Sequence, residues 1–324
     1  MKHWRYNLMM RPADTELYQL LVERTGHTYL RQRLGIEAES EHRVFHKGRS
    51  RFHIENIDSL HGVIRFLTRL LMLHGRGQRN ALNIQVNENV IQLPHLPEDF
   101  IGYTILHLSD LHMDMNDEFP ATLHQCLQGL EYDMCVMTGD YRFLTHGPWD
   151  RALAGLETIR TAIDRPIYAV LGNHDSLKMA PGIEDLDIRL LLNESIAISR
   201  GNSRIHLAGI DDPHYFGTDN LERATRGIND DDVALLLAHS PEIFRQAAHA
   251  GFDVLLCGHT HGGQIRLPGN IALIMNAKCP RAYCAGAWQH RHLRGYTSLG
   301  TGSSIVDLRY NCPPEVTLHR LHRS

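Results

Sequence analysis

Between Thr104 and His261 five short apolar runs each stop on residues that can bind a cation. Leu106-His107-Leu108-Ser109 leads into Asp110-Leu111-His112, and Cys135-Val136-Met137-Thr138 leads into Gly139-Asp140. Ala169-Val170-Leu171 leads into Gly172-Asn173-His174-Asp175, Leu235-Leu236-Leu237-Ala238 into His239, and Leu255-Leu256-Cys257 into Gly258-His259-Thr260-His261. Apolar runs this short, bounded by turn residues, read as buried strands. Strands are expected at Thr104–Leu108, Met134–Met137, Ile167–Leu171, Ile205–Ile210, Val233–Ala238 and Val254–Cys257. Helical patterns fall between them at Pro120–Leu130, Trp149–Ile163, Ile183–Leu192 and Pro241–Ala250. Such alternation implies an α/β domain, and both two sheets of mixed strands with outer helices and a single doubly wound sheet accommodate it. Period-two alternation predicts a further strand in LNIQVNENVIQL from residue 82, and the tail offers strands at Ser304–Leu308 and Val316–Leu321.

In α/β folds ligands gather beyond the carboxyl ends of strands. Taken singly, each strand end has an ordinary reading: Asp-x-His, Gly-Asp and Gly-Asn-His-Asp are turn chemistry, and His239 is a helix-capping residue. Five in succession point instead to one metal site. Its donors are oxygen and nitrogen without thiolate, which suits Mn²⁺, Fe or Zn²⁺. Two cations about 3.5–4 Å apart need a shared ligand, and the Asp140 carboxylate is the natural bridge. Gly139, Gly172 and Gly258 allow sharp turns and a close backbone approach.

The blocks DxH, GD, GNHD, H and GHxH, in this order over residues 100–322, resemble the calcineurin-like metallophosphoesterases. The resemblance implies a four-layer αββα double β-sandwich and two divalent metal ions, Mn²⁺ first among them. By motif position it implies that Asp110, His112, Asp140 and His261 hold one ion. Asp140, Asn173, His239 and His259 would hold the other, so the adjacent histidines 259 and 261 serve different metals. It assigns the catalytic histidine to His174, with Asp175 holding its tautomer and supporting its charge. The implied reaction is hydrolysis of a phosphodiester or pyrophosphate bond by a metal-bridging hydroxide, with His174 protonating the leaving group. GDY at 139–141, AGIDD at 208–212, GHTHGGQIRLPG, Gly300-Thr301-Gly302 and CPPEVT at 312–317 look like the bacterial membrane-associated branch. That branch includes UDP-2,3-diacylglucosamine pyrophosphatases, which makes a nucleotide-linked lipid the expected substrate class. A soluble nucleotide, cyclic nucleotide or phosphoprotein is the alternative, and a non-catalytic binding module on the same fold is a third. Arg142 and Arg266 are candidate substrate contacts, and Asp114 reads as a turn residue rather than a third metal contact.

The boundary is expected near residue 80, with a helical basic extension at 1–80 and the phosphoesterase domain at 81–324. Residues 1–80 hold fourteen Lys/Arg against eight Asp/Glu, although the whole chain carries a net charge of −4. The catalytic part is therefore acidic and lacks a basic, aromatic-interleaved stripe, so no nucleic-acid partner is expected. Within the extension, Thr15–Leu34 has the spacing of an amphipathic helix with Gly35 as its stop. Residues 57–74 repeat apolar side chains at helical spacing, interrupted by Arg65 and Arg69. That segment is too polar to span a bilayer; it suits either packing on the domain or peripheral membrane contact. No apolar run follows the charged start, so a signal peptide is not expected. Six cysteines without a CxxC pair read as free thiols, which suits the cytoplasm, with peripheral contact at the inner face of the membrane.

Overall fold

The computed structural model describes residues 12–45, 62, 66, 68–269, 271–272 and 275–324. Two six-stranded sheets face each other. The first runs β1 (Gln85–Leu93), β14 (Glu315–Arg323), β2 (Thr104–Leu108), β3 (Met134–Thr138), β4 (Ile167–Val170) and β5 (Ile188–Leu190). The second runs β12 (Gly286–His290), β13 (Leu293–Thr297), β9 (Val254–Cys257), β8 (Ala234–Leu237), β7 (Ser203–Gly209) and β6 (Glu194–Arg200). A two-stranded hairpin, β10 (Arg266–Leu267) with β11 (Ile271–Ala272), lies apart.

Period two explains the layering. Ile105, Val136 and Val170 point between the sheets, where they meet Leu207, Leu235, Leu237, Val254 and Leu256. Their strand neighbours Leu106, Leu108, Cys135, Met137 and Ala169 point outward, onto helices at Phe119–Leu127, Asp150–Arg160 and Ala180–Glu184. Ala208, Leu236, Leu255 and Cys257 point to the opposite outer face, against Phe244–His249. Strands buried on both sides must be apolar at every position, which is why these runs lack alternation. The result is the four-layer αββα sandwich; the single doubly wound sheet is not adopted. Strands β2, β3, β4 and β5 are mutually parallel, as are β7, β8, β9 and β13. Their carboxyl ends therefore deliver successive loops to common edges.

Several expectations need correction. Thr15–Leu34 is two helices, α1 (Pro12–Thr25) and α2 (His27–Phe45), broken at Gly26 with φ +88°. Gly35 does not stop α2, because Leu30, Arg33 and Glu37 on its buried face carry it onward. The helix expected over Ile183–Leu192 ends at Glu184, and Ile188–Leu190 is the edge strand β5. There Ile188 and Leu190 are buried while Arg189 is exposed, a strand pattern too short to compete with helical periodicity in the sequence. Ser304–Leu308 is not a strand: Ile305 has φ 63°, and the Gln264 amide binds the Ser304 and Val306 carbonyls. Strands β6 and β12 lack an apolar run because most of their residues are half-buried or exposed, and β13, although largely buried, is interrupted by Arg294 and Gly295. Much of 57–74 lies outside the described residues; Phe66, Leu70, Leu71 and Met72 within it are exposed. Among the described residues no helix is long and apolar enough to cross a membrane.

One buried polar pair has a consequence for stability. His107 on β2 faces His319 on β14 at 3.2 Å and Thr138 Oγ1 at 2.9 Å. Burial lowers the His107 pKa to about 3. The unfolded chain takes up a proton near the ordinary value of 6.5, whereas the folded chain does so only near 3, so stability is complete above 6.5 and is lost as pH falls. The His107 share of the loss should reach roughly 3 kcal/mol by pH 4, and His319, also lowered by burial, adds to it. Urea titrations from pH 7 to 4 should show it, and His107→Gln should flatten the slope.

Candidate metal centre

Loops from both sheets meet where the apolar strands end. Asp110 and His112 follow β2, Asp140 follows β3, and Asn173, His174 and Asp175 follow β4. His239 follows β8, and His259 and His261 follow β9. Five of these residues, Asp110, His112, Asp140, His259 and His261, have positive φ, between 42° and 72°. Non-glycine residues rarely adopt that conformation, and its cost persists where the surroundings enforce it. Glycine makes the convergence possible: a Cβ on Gly172 would lie 2.2 Å from Asp140 Oδ1, and one on Gly258 would lie 1.9 Å from Ser109 Oγ.

The donor atoms form three overlapping groups, each within 4.8 Å: Asp110, His112 and His261; His112, Asp140 and His174; Asp140, His239 and His259. Asp140 Oδ2 sits among the imidazoles, 3.3 Å from His239 Nε2 and 3.8 Å from both His112 Nε2 and His174 Nε2. Its other oxygen accepts from the His174 backbone N–H at 2.9 Å. Asp110 accepts the His259 N–H at 3.0 Å and the Ser109 hydroxyl at 2.6 Å.

The imidazole nitrogens argue for cations at this point. His112 Nδ1 lies 2.9 Å from the Arg142 carbonyl and His239 Nδ1 lies 2.7 Å from the Thr138 carbonyl. Those carbonyls can only accept, so each Nδ1 carries a proton and each Nε2 is the atom free to face a cation. Around His239 Nε2 stand Asn173 Oδ1 at 3.0 Å, His259 Nδ1 at 3.2 Å and Asp140 Oδ2 at 3.3 Å. His112 Nε2 likewise faces His261 Nε2 at 3.2 Å. Lone pairs pointed at one another in a buried space demand positive charge between them. The titration shifts agree. Burial disfavours charge on His239, yet Asp140 pushes its pKa up to about 10. Burial also opposes the Asp140 charge, but His239 and His174 hold that carboxyl well below the usual range. Burial, then neighbouring imidazoles, lower His259 and His261. The donor set fits two divalent cations sharing Asp140.

Two expected roles change. The Asp175 carboxylate does not touch the His174 ring; it accepts the N–H groups of Asp140, Tyr141 and Gly172 at 2.8–2.9 Å. The carbonyl of Phe143 faces His174 Nδ1 instead, so a backbone atom fixes the tautomer that a carboxylate was expected to hold. Arg142 is buried with its guanidinium spent on the carbonyls of His174, Thr145 and Gly147, which makes it a loop tie rather than a substrate contact. Arg266 is half-buried and donates from Nε to the Gly262 carbonyl at 2.6 Å, beside His261. Asp114 accepts the Phe143 N–H at 2.6 Å, in keeping with a turn role.

Sequence reasoning missed Arg309. Fully buried, it donates to the Gly300 carbonyl at 3.0 Å and lies 3.4 Å from His261 Nδ1. It thereby holds the Gly300-Thr301-Gly302 loop, whose N–H groups bind the carbonyls of Ser109 and Asp110. An arginine remote from every motif carries no local signal of that task.

Residues 103–263 match the family described as Calcineurin-like phosphoesterase. The metallophosphoesterase YkoQ of Bacillus subtilis (strain 168) is 30% identical over 259 residues, spanning 76% of this chain and 93% of that protein. This chain belongs to the calcineurin-like metallophosphoesterases. The phosphodiesterase YaeI of Escherichia coli (strain K12) is 30% identical over 255 residues, covering 71% of this chain and 86% of the relative. A transmembrane protein with metallophosphoesterase domain from Bos taurus is 30% identical over 253 residues, covering 70% of this chain and 54% of that protein. The chain is thus a metal-dependent phosphoester hydrolase, and two divalent metals are the family's usual complement. The matched residues 103–263 include every donor-bearing strand end described above.

Proposed function

We propose that this metallophosphoesterase hydrolyses a phosphodiester or pyrophosphate bond in a nucleotide-linked lipid of the UDP-2,3-diacylglucosamine class. Asp110, His112, Asp140 and His261 would hold one cation, and Asp140, Asn173, His239 and His259 the other, with Mn²⁺ as the first choice and Fe or Zn²⁺ as alternatives. Bound divalent cations supply water activation and neutralise phosphoryl charge. His174 gives its Nε2 proton to the leaving oxygen, and the Phe143 carbonyl steadies the imidazolium through Nδ1–H. Asp175 acts indirectly, holding the loops of Asp140 and His174 together.

The observation that carries the lipid part is an exposed apolar rim. Phe66 is 66% exposed, Leu70 67%, Leu71 64% and Met72 91%, and Arg69, Arg76 and Arg79 are exposed beside them. This segment is tied to the catalytic side of the molecule. The Tyr310 hydroxyl donates to the Leu73 carbonyl, and the Arg309 N–H donates to the Gly77 carbonyl at 3.1 Å. An acyl-bearing substrate entering from a bilayer would meet apolar side chains first and anionic headgroups would meet arginine. A cytoplasmic position at the inner face of the membrane goes with this reading, as do the six free thiols.

Turnover of bis(p-nitrophenyl) phosphate with Mn²⁺, Fe²⁺ and Zn²⁺ should be metal-dependent. UDP-linked diacyl lipid in mixed vesicles should then outcompete 2′,3′-cyclic nucleotides and p-nitrophenyl phosphate; a preference for the cyclic nucleotides would replace the lipid reading with a soluble substrate. Phe66→Ala/Leu70→Ala should weaken flotation with anionic vesicles about tenfold or more, since each side chain buries roughly 1.5–3 kcal/mol of transfer energy. Unchanged flotation by a folded variant would remove the membrane contact.

A further inference from the structure

Helix α2 lies outside the matched region, at residues 27–45, yet two of its side chains grip the loop that carries Asn173, His174 and Asp175. Arg33 is fully buried and Glu37 is 8% exposed. The Arg33 guanidinium is spent in three directions: to Asp211 Oδ2 at 3.0 Å, to Glu37, and to the Asp175 carbonyl at 2.9 Å. Its flat face lies 3.2 Å from the centroid of the Phe216 ring. Glu37 receives the Leu177 N–H at 2.7 Å and the Ser176 hydroxyl at 2.7 Å. Residues 175, 176 and 177 are therefore each bound by one helical turn of α2. Just before them, Arg142 holds the His174 carbonyl at 2.6 Å.

A merely adhesive helix has no need of a buried charge network. Placing Arg33, Glu37 and Asp211 out of water is costly unless each is paired, and apolar residues would attach α2 as well. What the network adds is direction. It fixes carbonyl and N–H groups immediately after His174, and so limits where that imidazole can swing. We infer that Arg33 and Glu37 are positioning residues of the hydrolase: α2 sets the 173–177 loop so that His174 Nε2 addresses the leaving oxygen. This rests on the reading of His174 as the proton donor given above.

The experiment uses the full-length, Mn²⁺-saturated protein and two diesters, bis(p-nitrophenyl) phosphate and diphenyl phosphate. The nitrophenolate leaves without much help, whereas phenolate needs a proton. Glu37→Ala should lower kcat on the phenyl ester about 10- to 100-fold, the range set by small misplacements of catalytic groups, with KM little changed. The loss on the nitrophenyl ester should be several-fold smaller, following the pattern of His174→Ala measured alongside. Glu37→Gln, which keeps an acceptor for the Leu177 N–H, should recover most of the rate. If Glu37→Ala fails to fold, Glu37→Gln carries the test through a smaller loss of the same selectivity. Equal losses on both esters, or none, while His174→Ala keeps its selectivity, would reduce α2 to packing. Equal losses in His174→Ala itself would overturn the role of His174, and the positioning role with it.

Discussion

Asp140→Asn should lower turnover about 10³-fold or more and reduce bound metal from two ions per chain toward one. The change keeps size and shape and removes a charge. Among the described residues, Asp140 Oδ2 is the one carboxylate oxygen within 3.8 Å of His112, His174 and His239 together, so no described neighbour can replace it. An amide would turn an N–H group toward nitrogens that must donate lone pairs. Steady-state kinetics under saturating Mn²⁺ and elemental analysis would read both losses. A third readout needs no metal. Burial lowers the His239 pKa and the Asp140 charge overcomes it, pushing it up to about 10, so that imidazole should titrate lower in the variant. Histidine NMR of the metal-free protein would show it. Full activity with two bound ions would mean that Asp140 does not bridge.

Gly258→Ala should cost about 10²-fold or more in turnover, although it adds only a methyl group. That methyl would stand 1.9 Å from Ser109 Oγ and 2.2 Å from Asp110 Oδ2. Neither atom has room to retreat. Asp110 is fully buried and holds the His259 N–H with both oxygens at 3.0 Å. The methyl must therefore displace Asp110 and the loop bearing His259, the proposed ligands of the two ions. Ser109→Ala in the same chain should not restore activity, because the Asp110 clash remains. Circular dichroism separates this outcome from unfolding. Wild-type kinetics in Gly258→Ala would show that the β2 and β9 loops can part without consequence.

These two sites illustrate what a linear reading can carry. A run such as Leu255-Leu256-Cys257 must be buried whichever strands flank it, and Gly-His-Thr-His must then follow at its end. The buried strands that end on donor residues, and the donor types, were legible because burial period and turn chemistry are local. The same local rules mistook Ile183–Leu192 for one helix, since three strand residues at Ile188–Leu190 cannot outweigh a helical pattern before them.

Arginine shows where local rules stop. Arg142 stands two residues after Asp140 and reads as a phosphate contact, but its Nε, Nη1 and Nη2 each donate to a carbonyl of the folded loops. Arg33 and Arg309 gave no signal at all, yet one meets the Asp175 carbonyl and the other approaches His261. Asp175 stands next to the imidazole in sequence, but its carboxylate turns to three backbone N–H groups and leaves the His174 ring to the Phe143 carbonyl. The sequence by itself determined the buried apolar strands and the oxygen-and-nitrogen side chains at their ends, because each depends on residues a few positions apart. Only the tertiary structure decided which groups orient those ligands. A buried donor pairs with whatever acceptor the fold brings within about 3 Å, and that acceptor can lie far away in the chain.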